Sequence, residues 1–128
     1  MTKDLQEINA HLQKILLKHS AILKTKSTHE GHIEVSGTIE AMQGKKKVDG
    51  IYFASVVPKP KDVRFYFFPL YTHKDGLDPL VTPDLRKALK GKTCFHVKSL
   101  TNDMISDLQR ITDEAVILFQ KDNLLATS

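Results

Sequence analysis

The chain has 128 residues, of which 41% are hydrophobic and 27% charged, and it carries a formal net charge of +4. This length suits a single domain over residues 1–128 with an ordinary core, and the composition is not that of a disordered chain. No apolar run approaches the roughly 18 residues of a membrane-spanning helix, and the polar start of the chain and its single cysteine predict a cytoplasmic protein.

The first predicted element is an amphipathic helix from Thr2 to Leu23, because apolar residues recur there at helical spacing. His19 falls within the apolar face of this helix. We interpret it as a buried neutral histidine or one at the rim of the helix layer; a ligand-binding or pH-sensing role would need a second polar group beside it. Residues 24–31 are predicted to form a polar connector.

Three strands are predicted next. Residues 32–41 alternate between apolar and polar side chains, residues 43–47 suit a hairpin turn, and residues 48–57 form a second strand. Simple alternation puts Tyr52, Ala54 and Val56 on one face of that strand. A proline-containing turn leads to a third strand at residues 63–68. The second and third strands are apolar on both sides, so the sequence leaves open which face the helices cover.

Residues 70–81 are predicted to form a long connection that leads into a short helix from Pro83 to Lys90. Thr82 suits the N-cap of that helix, and Gly91 suits its C-terminal cap. A fourth strand at residues 92–99 and an amphipathic helix at residues 102–120 complete the chain. The order predicts an α+β two-layer sandwich. Its antiparallel sheet has about four to five strands, the N- and C-terminal helices lie on one face, and the short helix precedes the last strand.

The end of the chain resembles a known family. The segment Gly91-Lys92-Thr93-Cys94-Phe95-His96-Val97, followed by Leu100 and a helix that contains Ile105, Leu108, Ile111 and Ala115, is similar to the YdhG-like bacterial family. Some of its members are described as frataxin-like intracellular iron chaperones. The resemblance implies a frataxin-like fold and iron as a possible cofactor. The acidic residues of the first helix and first strand that could serve this role are Asp4, Glu7, Glu34 and Glu40.

The segment from Tyr71 to Val81 is the main candidate for a functional site. It is rich in polar residues, and it leads to the start of a helix, where free backbone N–H groups favour an anion. The surrounding residues 63–100 carry seven Lys or Arg against three acids. We therefore predict a site for a phosphate or carboxylate, with a capped surface loop as the alternative. The predicted ligand-binding residues are Tyr71, Thr72, His73, Lys74, Asp75, Arg86, Lys92 and His96.

Two weaker clusters have simpler alternatives. His29 and His32, with Glu30 and Glu34, offer ligands that divalent metals accept, but we favour the interpretation that they are surface histidines in a connector. Cys94 and His96 share one face of a strand, roughly 7 Å apart, which is too far for a histidine to activate a thiol directly. We therefore interpret Cys94 as a small, partly buried residue.

Three function classes remain from the sequence. The first is a binding or interaction domain, in which a sheet face with Tyr52, Tyr66, Phe68 and His96 meets a partner or a second copy of the chain. The second is the iron chaperone that the resemblance implies. The third is an enzyme acting on a phosphorylated or acyl substrate, which the absence of a nucleophile–base motif disfavours. The sequence has no nucleic-acid-binding motif and therefore argues against nucleic acid as a partner.

Overall fold

The computed structural model describes residues 1–127, with residue 28 described only as part of its strand. In this part of the chain, six strands form one sheet and two more form a small second sheet. The strands are β1 (Lys24–His29), β2 (His32–Ser36), β3 (Ala41–Gln43), β4 (Lys46–Val48), β5 (Tyr52–Pro58), β6 (Val63–Phe67), β7 (Leu89–Lys90) and β8 (Cys94–Val97). The helices are α1 (Leu5–Leu17), α2 (Pro69–Thr72), α3 (Lys74–Leu77), α4 (Pro83–Ala88) and α5 (Asn102–Lys121), with a 3-10 turn at Asp78–Leu80.

The predicted α+β class is confirmed. The sheet order is β1-β2-β5-β6-β8-β7, and every neighbouring pair is antiparallel. Among the described residues, the sheet is wider than the predicted four to five strands, and β3 and β4 form a separate two-stranded sheet. None of the helices in the described part of the chain is both long and apolar enough to cross a membrane.

The two long helices cover one face of the sheet. Helix α1 packs against α5 and against β5 and β6. Phe119 of α5 meets Phe53 edge to face, with ring centroids 5.3 Å apart, and Phe53 makes the same kind of contact with Phe67 at 5.5 Å. The buried residues of the sheet that join this core are Ile33, Val35, Phe53, Ala54, Val56, Val63, Phe65, Phe67, Phe95 and Val97.

The opposite face lies away from both long helices, and we call it the open sheet face. Cross-strand partners in an antiparallel ladder share a face, so the register assigns its members. They are Lys24, Lys26, Glu34, Ser36, Tyr52, Ser55, Val57, Arg64, Tyr66, Lys90, Cys94 and His96. Most of them are exposed or half-buried. The helices therefore cover the face that carries Phe53, Phe65 and Phe67, a choice that the sequence leaves open.

A β-bulge changes the predicted alternation of β5. Ser36 pairs with Tyr52, but the next residue along β2, Val35, pairs with Ala54, so Phe53 is an extra residue. The prediction that Tyr52 shares a face with Ala54 is therefore wrong. The bulge instead places Tyr52 beside Ser55, with their hydroxyl oxygens 2.7 Å apart. A single inserted residue moves each side chain beyond it to the face opposite the one that simple alternation predicts.

The predicted connector at residues 24–31 is also wrong, because most of it is the edge strand β1. Its described side chains are exposed and polar, so it lacks the apolar alternation that predicts a strand. Its backbone pairs with β2 instead, from Lys24 opposite Ser36 to His29 opposite His32. Lysine-rich edge strands resist pairing with other chains.

The first helix is shorter than predicted. Asp4 caps it by accepting hydrogen bonds from the backbone N–H groups of Gln6 and Glu7, and it ends at Leu17. Residues 18–23 then form turns, in which the carbonyl of His19 accepts from both Ile22 and Leu23. Those two residues are buried, which explains why the apolar pattern continues beyond the helix itself.

Residues 32–57 form two interrupted strands rather than two continuous ones. The backbones of Gly37 and Gly50 approach so closely that a Cβ on Gly50 would lie 2.0 Å from the carbonyl oxygen of Gly37. The chain separates there, and β3 and β4 continue as a small hairpin whose turn contains Gly44 at φ +65°. The predicted hairpin turn at residues 43–47 therefore lies at the tip of this smaller unit.

Candidate functional site

A cleft of about 280 Å³ lies between the α2–α3 segment and the turn that joins β7 to β8. Its walls come from Leu70, Tyr71, Lys74, Asp78, Arg86, Leu89, Gly91 and Lys92. We call it the cationic cleft, since three of its side chains are positively charged and one is negatively charged. It brings together four of the predicted site residues, namely Tyr71, Lys74, Arg86 and Lys92.

The negative charge in the cleft is already paired. Asp78 accepts a hydrogen bond from Arg86 Nη1 at 2.8 Å, and its carbonyl oxygen accepts from Arg86 Nη2 at 3.2 Å. The hydrogen bond from Arg86 lowers the pKa of Asp78. By contrast, neither Lys74 nor Lys92 has a carboxylate within 4.0 Å among the described residues. The two lysine charges therefore give the cleft a net positive potential.

Tyr71 supplies an aromatic wall. Its side chain is 61% exposed, and its ring stacks on Phe68 at 6.2 Å between centroids. Lys92 Nζ lies 5.7 Å from the centroid of the Tyr71 ring, within the range of a cation–π contact. Phe68 in turn lies 5.8 Å from Tyr52, so the aromatic wall continues onto the open sheet face.

The local sequence explains why the predicted long connection folds into short helices. Pro69 occupies the first turn of α2, where its missing N–H group costs nothing. The backbone N–H groups of Tyr71 and Thr72 donate to the carbonyl of Phe68, which fixes the turn directly after β6. Leu77 is fully buried and holds α3 to the core, so the predicted long connection contains two short helices and a 3-10 turn.

Three predicted site residues of this segment lie outside the cationic cleft. Thr72, His73 and Asp75 line a separate, shallow depression beside Leu118. His73 Nε2 lies 2.6 Å from Asp122 Oδ2, and His73 Nδ1 lies 2.8 Å from Thr72 Oγ1. The ring also packs on Phe119 at 4.8 Å. These contacts attach the α2–α3 segment to the end of α5.

The cationic cleft does not lie at the N-terminus of α4, where the anion site is predicted. Thr82 does cap α4, with its side-chain oxygen accepting from the Leu85 N–H at 3.4 Å. However, α4 has only six residues, and the cleft is lined by Arg86 and Leu89 near its C-terminal end. Side-chain cations, rather than backbone N–H groups, therefore give this cleft its charge.

His96 belongs to a polar cluster on the open sheet face. Asp62, whose side chain is only 7% exposed, lies between Arg64 Nε at 3.3 Å and His96 Nδ1 at 3.6 Å. A hydrogen bond to the Tyr66 hydroxyl raises the pKa of Arg64. Cys94 lies opposite Tyr66 in the register, and burial raises the pKa of its thiol. A raised pKa keeps the thiol protonated, which argues against a nucleophilic role.

A polar group, the carboxylate of Asp113, lies beside His19, as a ligand-binding or pH-sensing role would require. Its Nε2 lies 2.7 Å from Asp113 Oδ1, at the rim where α1 meets α5. Lys18 Nζ lies 2.8 Å from the other oxygen of Asp113, and Gln109 donates to Oδ1 at 2.9 Å. Burial alone would raise the pKa of Asp113, but the bonds from Lys18, His19 and Gln109 together lower it. This cluster links the two long helices.

The histidine cluster of residues 29–34 lies at the β1–β2 turn. The rings of His29 and His32 stack, with centroids 5.8 Å apart. Among residues 1–127, no group of three or more His, Cys, Asp and Glu side chains could hold a metal ion together.

Comparison of the chain with family models, with curated proteins and with solved structures found no match.

Proposed function

We propose that this chain is a binding domain that holds a small anionic ligand, a phosphate or a carboxylate, in the cationic cleft. The observation that carries the proposal is the convergence of Lys74, Arg86 and Lys92 on a space that contains one carboxylate, Asp78. Because Asp78 is paired with Arg86, two lysine charges remain for a ligand. Charge-assisted hydrogen bonds of this kind are about twice as strong as neutral ones.

The dimensions of the cleft support a small ligand. Its volume of about 280 Å³ lies just below the usual range of about 300 to 1,000 Å³ for sites that hold drug-sized molecules. Leu70 and Leu89 add apolar wall, and Tyr71 adds an aromatic ring. A phosphate or carboxylate attached to a short apolar or aromatic body would match both parts of the lining.

Binding is favoured over catalysis by the surroundings of the reactive groups. His73 lies outside the cleft and is held by Asp122. The Cys94 thiol lies on the open sheet face, with a raised pKa. The iron-chaperone alternative lacks a comparable observation. For the location we propose the cytoplasm, because a chain with Cys94 as its only cysteine can form no internal disulfide.

The test is a thermal-shift and calorimetric titration with inorganic phosphate, pyrophosphate and small carboxylates at constant ionic strength. A ligand at about one hundred times its dissociation constant adds about 2.7 kcal/mol to the free energy of unfolding. The double variant Lys74→Ala/Lys92→Ala should weaken binding at least about tenfold, since it removes two charged hydrogen-bond donors. The matched control Lys45→Ala/Lys46→Ala removes the same charge from the β3–β4 hairpin and should bind normally.

Two outcomes would overturn the proposal. One is that none of these anions shifts the melting temperature or releases heat. The other is that the hairpin control loses as much affinity as the cleft variant, because the binding would then depend on net charge and not on the cleft.

A further inference from the structure

The open sheet face forms a continuous surface across all six strands. The register places one row of side chains straight across it, in the order Lys26, Glu34, Ser55, Tyr66, Cys94 and Lys90. With about 4.8 Å between neighbouring strands, this row spans roughly 24 Å. The long helices α1 and α5 pack on the other side of the sheet, and every member of this row except the buried Ser55 is exposed or half-buried.

Aromatic rings occupy the middle of this surface. Tyr52 and Tyr66 lie on either side of Ser55 and are both half-buried. Tyr52 continues through Phe68 to the exposed ring of Tyr71, with centroid distances of 5.8 and 6.2 Å. A group of aromatic side chains on an uncovered sheet is a platform on which flat apolar rings can stack.

Positive charge surrounds these rings. Lys24 and Lys26 lie on one edge strand, and Lys90 lies on the other. Arg64 lies between them. Carboxylates also lie near this surface: Glu34 and Asp49 line a depression together with Lys24 and Lys26, and Asp62 lies beside Arg64 and His96. Asp62 is almost fully buried and is paired with Arg64, so this pair adds little net charge, and the lysines at the two edges supply the positive charge of the surface.

We infer that the open sheet face binds single-stranded nucleic acid, with bases stacked on Tyr52 and Tyr66 and phosphates beside the flanking lysines. Stacking on aromatic side chains contributes about 1 to 3 kcal/mol per base, and a basic surface attracts the backbone. A single strand fits better than a duplex, because its bases are free to stack on protein rings. The chain has no local motif for this activity; the sheet register alone assembles the surface.

A second copy of the chain fits the same surface less well. A dimer through this face would place one basic surface against another, and like charges across an interface are repulsive. An acidic peptide would match the charge but would leave the tyrosine rings without flat partners. The combination of cations and aromatic rings therefore favours nucleic acid over either protein partner.

The experiment is fluorescence polarisation of labelled oligo-dT and oligo-U, each of about 12 nucleotides, a length within the range of known single-strand sites. The first variant is Lys26→Glu/Lys90→Glu, which changes two exposed residues. Its matched control is Lys45→Glu/Lys46→Glu in the β3–β4 hairpin, which changes the net charge equally. The face variant should lose at least about tenfold in affinity, whereas the control should lose no more than about threefold.

A second variant, Tyr66→Leu, tests the stacking. It should lower the affinity by about fivefold or more and leave the salt dependence unchanged, because it removes an aromatic ring but no charge. Circular dichroism would show whether each variant is folded. Lys74→Ala, which changes only the cationic cleft, should keep its affinity for the oligonucleotides. Anion binding in the cationic cleft and oligonucleotide binding on the open sheet face can therefore be tested separately.

The proposal is overturned if the oligonucleotides do not bind at low salt, or if the hairpin control weakens binding as much as the face variant. It is also overturned if Tyr66→Leu binds normally while poly-glutamate competes fully, since the surface would then recognise acidic protein. A mass that doubles with concentration, and returns to that of a monomer in Lys26→Glu/Lys90→Glu, would instead assign the face to a second copy.

Discussion

Phe65 and Tyr66 are neighbours on β6, yet their side chains have different surroundings. Phe65 is fully buried against the helix layer and packs on Phe67 and Phe95. Tyr66 lies on the open sheet face, where its hydroxyl contacts Arg64. Both are aromatic residues in an apolar strand, so their composition alone does not separate them. Helix placement, and not residue type, therefore makes one face of β6 part of the core and leaves the other face outside it.

The largest expected effect comes from truncating the two neighbours in turn. Phe65→Ala should lower the free energy of unfolding by about 3 to 5 kcal/mol, because it leaves a cavity in the core. Tyr66→Ala should lower it by only about 1 kcal/mol, near the average for single substitutions, because Tyr66 is half-buried and lies outside the core. Urea denaturation measures both. If the two variants lose equal stability, Tyr66 is as well packed as Phe65, which would mean that another molecule covers the open sheet face.

A smaller change in the free energy of unfolding is expected from a substitution at Thr112 in the core. Thr112 of α5 is fully buried, and its Oγ1 has no hydrogen-bond partner among the described residues. Thr112→Val keeps the shape but removes the unpaired hydroxyl, so it should raise the free energy of unfolding by about 1 kcal/mol. Thermal and urea denaturation would measure the gain. Thr112→Ser is the control, and it should destabilise the protein because it keeps the hydroxyl and loses the methyl group.

The rim between α1 and α5 provides a pH-dependent prediction. Asp113→Asn should lower the free energy of unfolding by about 0.5 to 1 kcal/mol at neutral pH, the range for partly exposed ion pairs. Because folding lowers the pKa of Asp113, its contribution is present above the ordinary value of 3.8 and is lost as the pH falls through the lowered value. Denaturation at a series of acidic pH values should show the two proteins converging. A gap that stays constant down to the most acid pH would contradict this.

The smallest change is expected in the reaction rate of the Cys94 thiol on the open sheet face. Because burial raises the pKa of Cys94, its thiol should react with a disulfide reagent several-fold more slowly in the folded protein than in urea. Absorbance at mildly alkaline pH gives both rates. An equal or faster rate in the folded protein would mean that the thiolate is favoured, and the open sheet face would then need a catalytic interpretation.

The starts of α4 and α5 are predicted correctly, whereas the helices predicted to end at Leu23 and Lys90 end at Leu17 and Ala88. Thr82 and Pro83 indicate the start of α4, and the structure places the cap there. Residues 102–120 were predicted as the last helix, and α5 runs one residue further. These signals are local, because a cap needs only residues within one turn of it. The edge strand β1 gave no such signal, since it pairs through its backbone and buries no apolar side chain.

The candidate site was predicted in part. Tyr71, Lys74, Arg86 and Lys92 line one cleft as expected, but His73 is directed to Asp122 at the end of α5, 49 residues later in the chain. No pattern near His73 indicates that partner. The sequence predicts a sheet face with Tyr52, Tyr66, Phe68 and His96 as a platform, but its flanking lysines come from β1 and β7, two strands that the sequence does not predict.

The α+β class, the two long amphipathic helices and the segment that forms one wall of the cationic cleft follow from the sequence, because periodicity, capping and turn residues act over short distances. The tertiary structure alone decided which sheet face became core, how the β-bulge at Phe53 reoriented Tyr52, and which charges came together. Those outcomes depend on strand pairing and helix packing between residues far apart in the chain, where the free energy of burying Phe53, Phe65 and Phe119 together outweighs the local preference of any one strand.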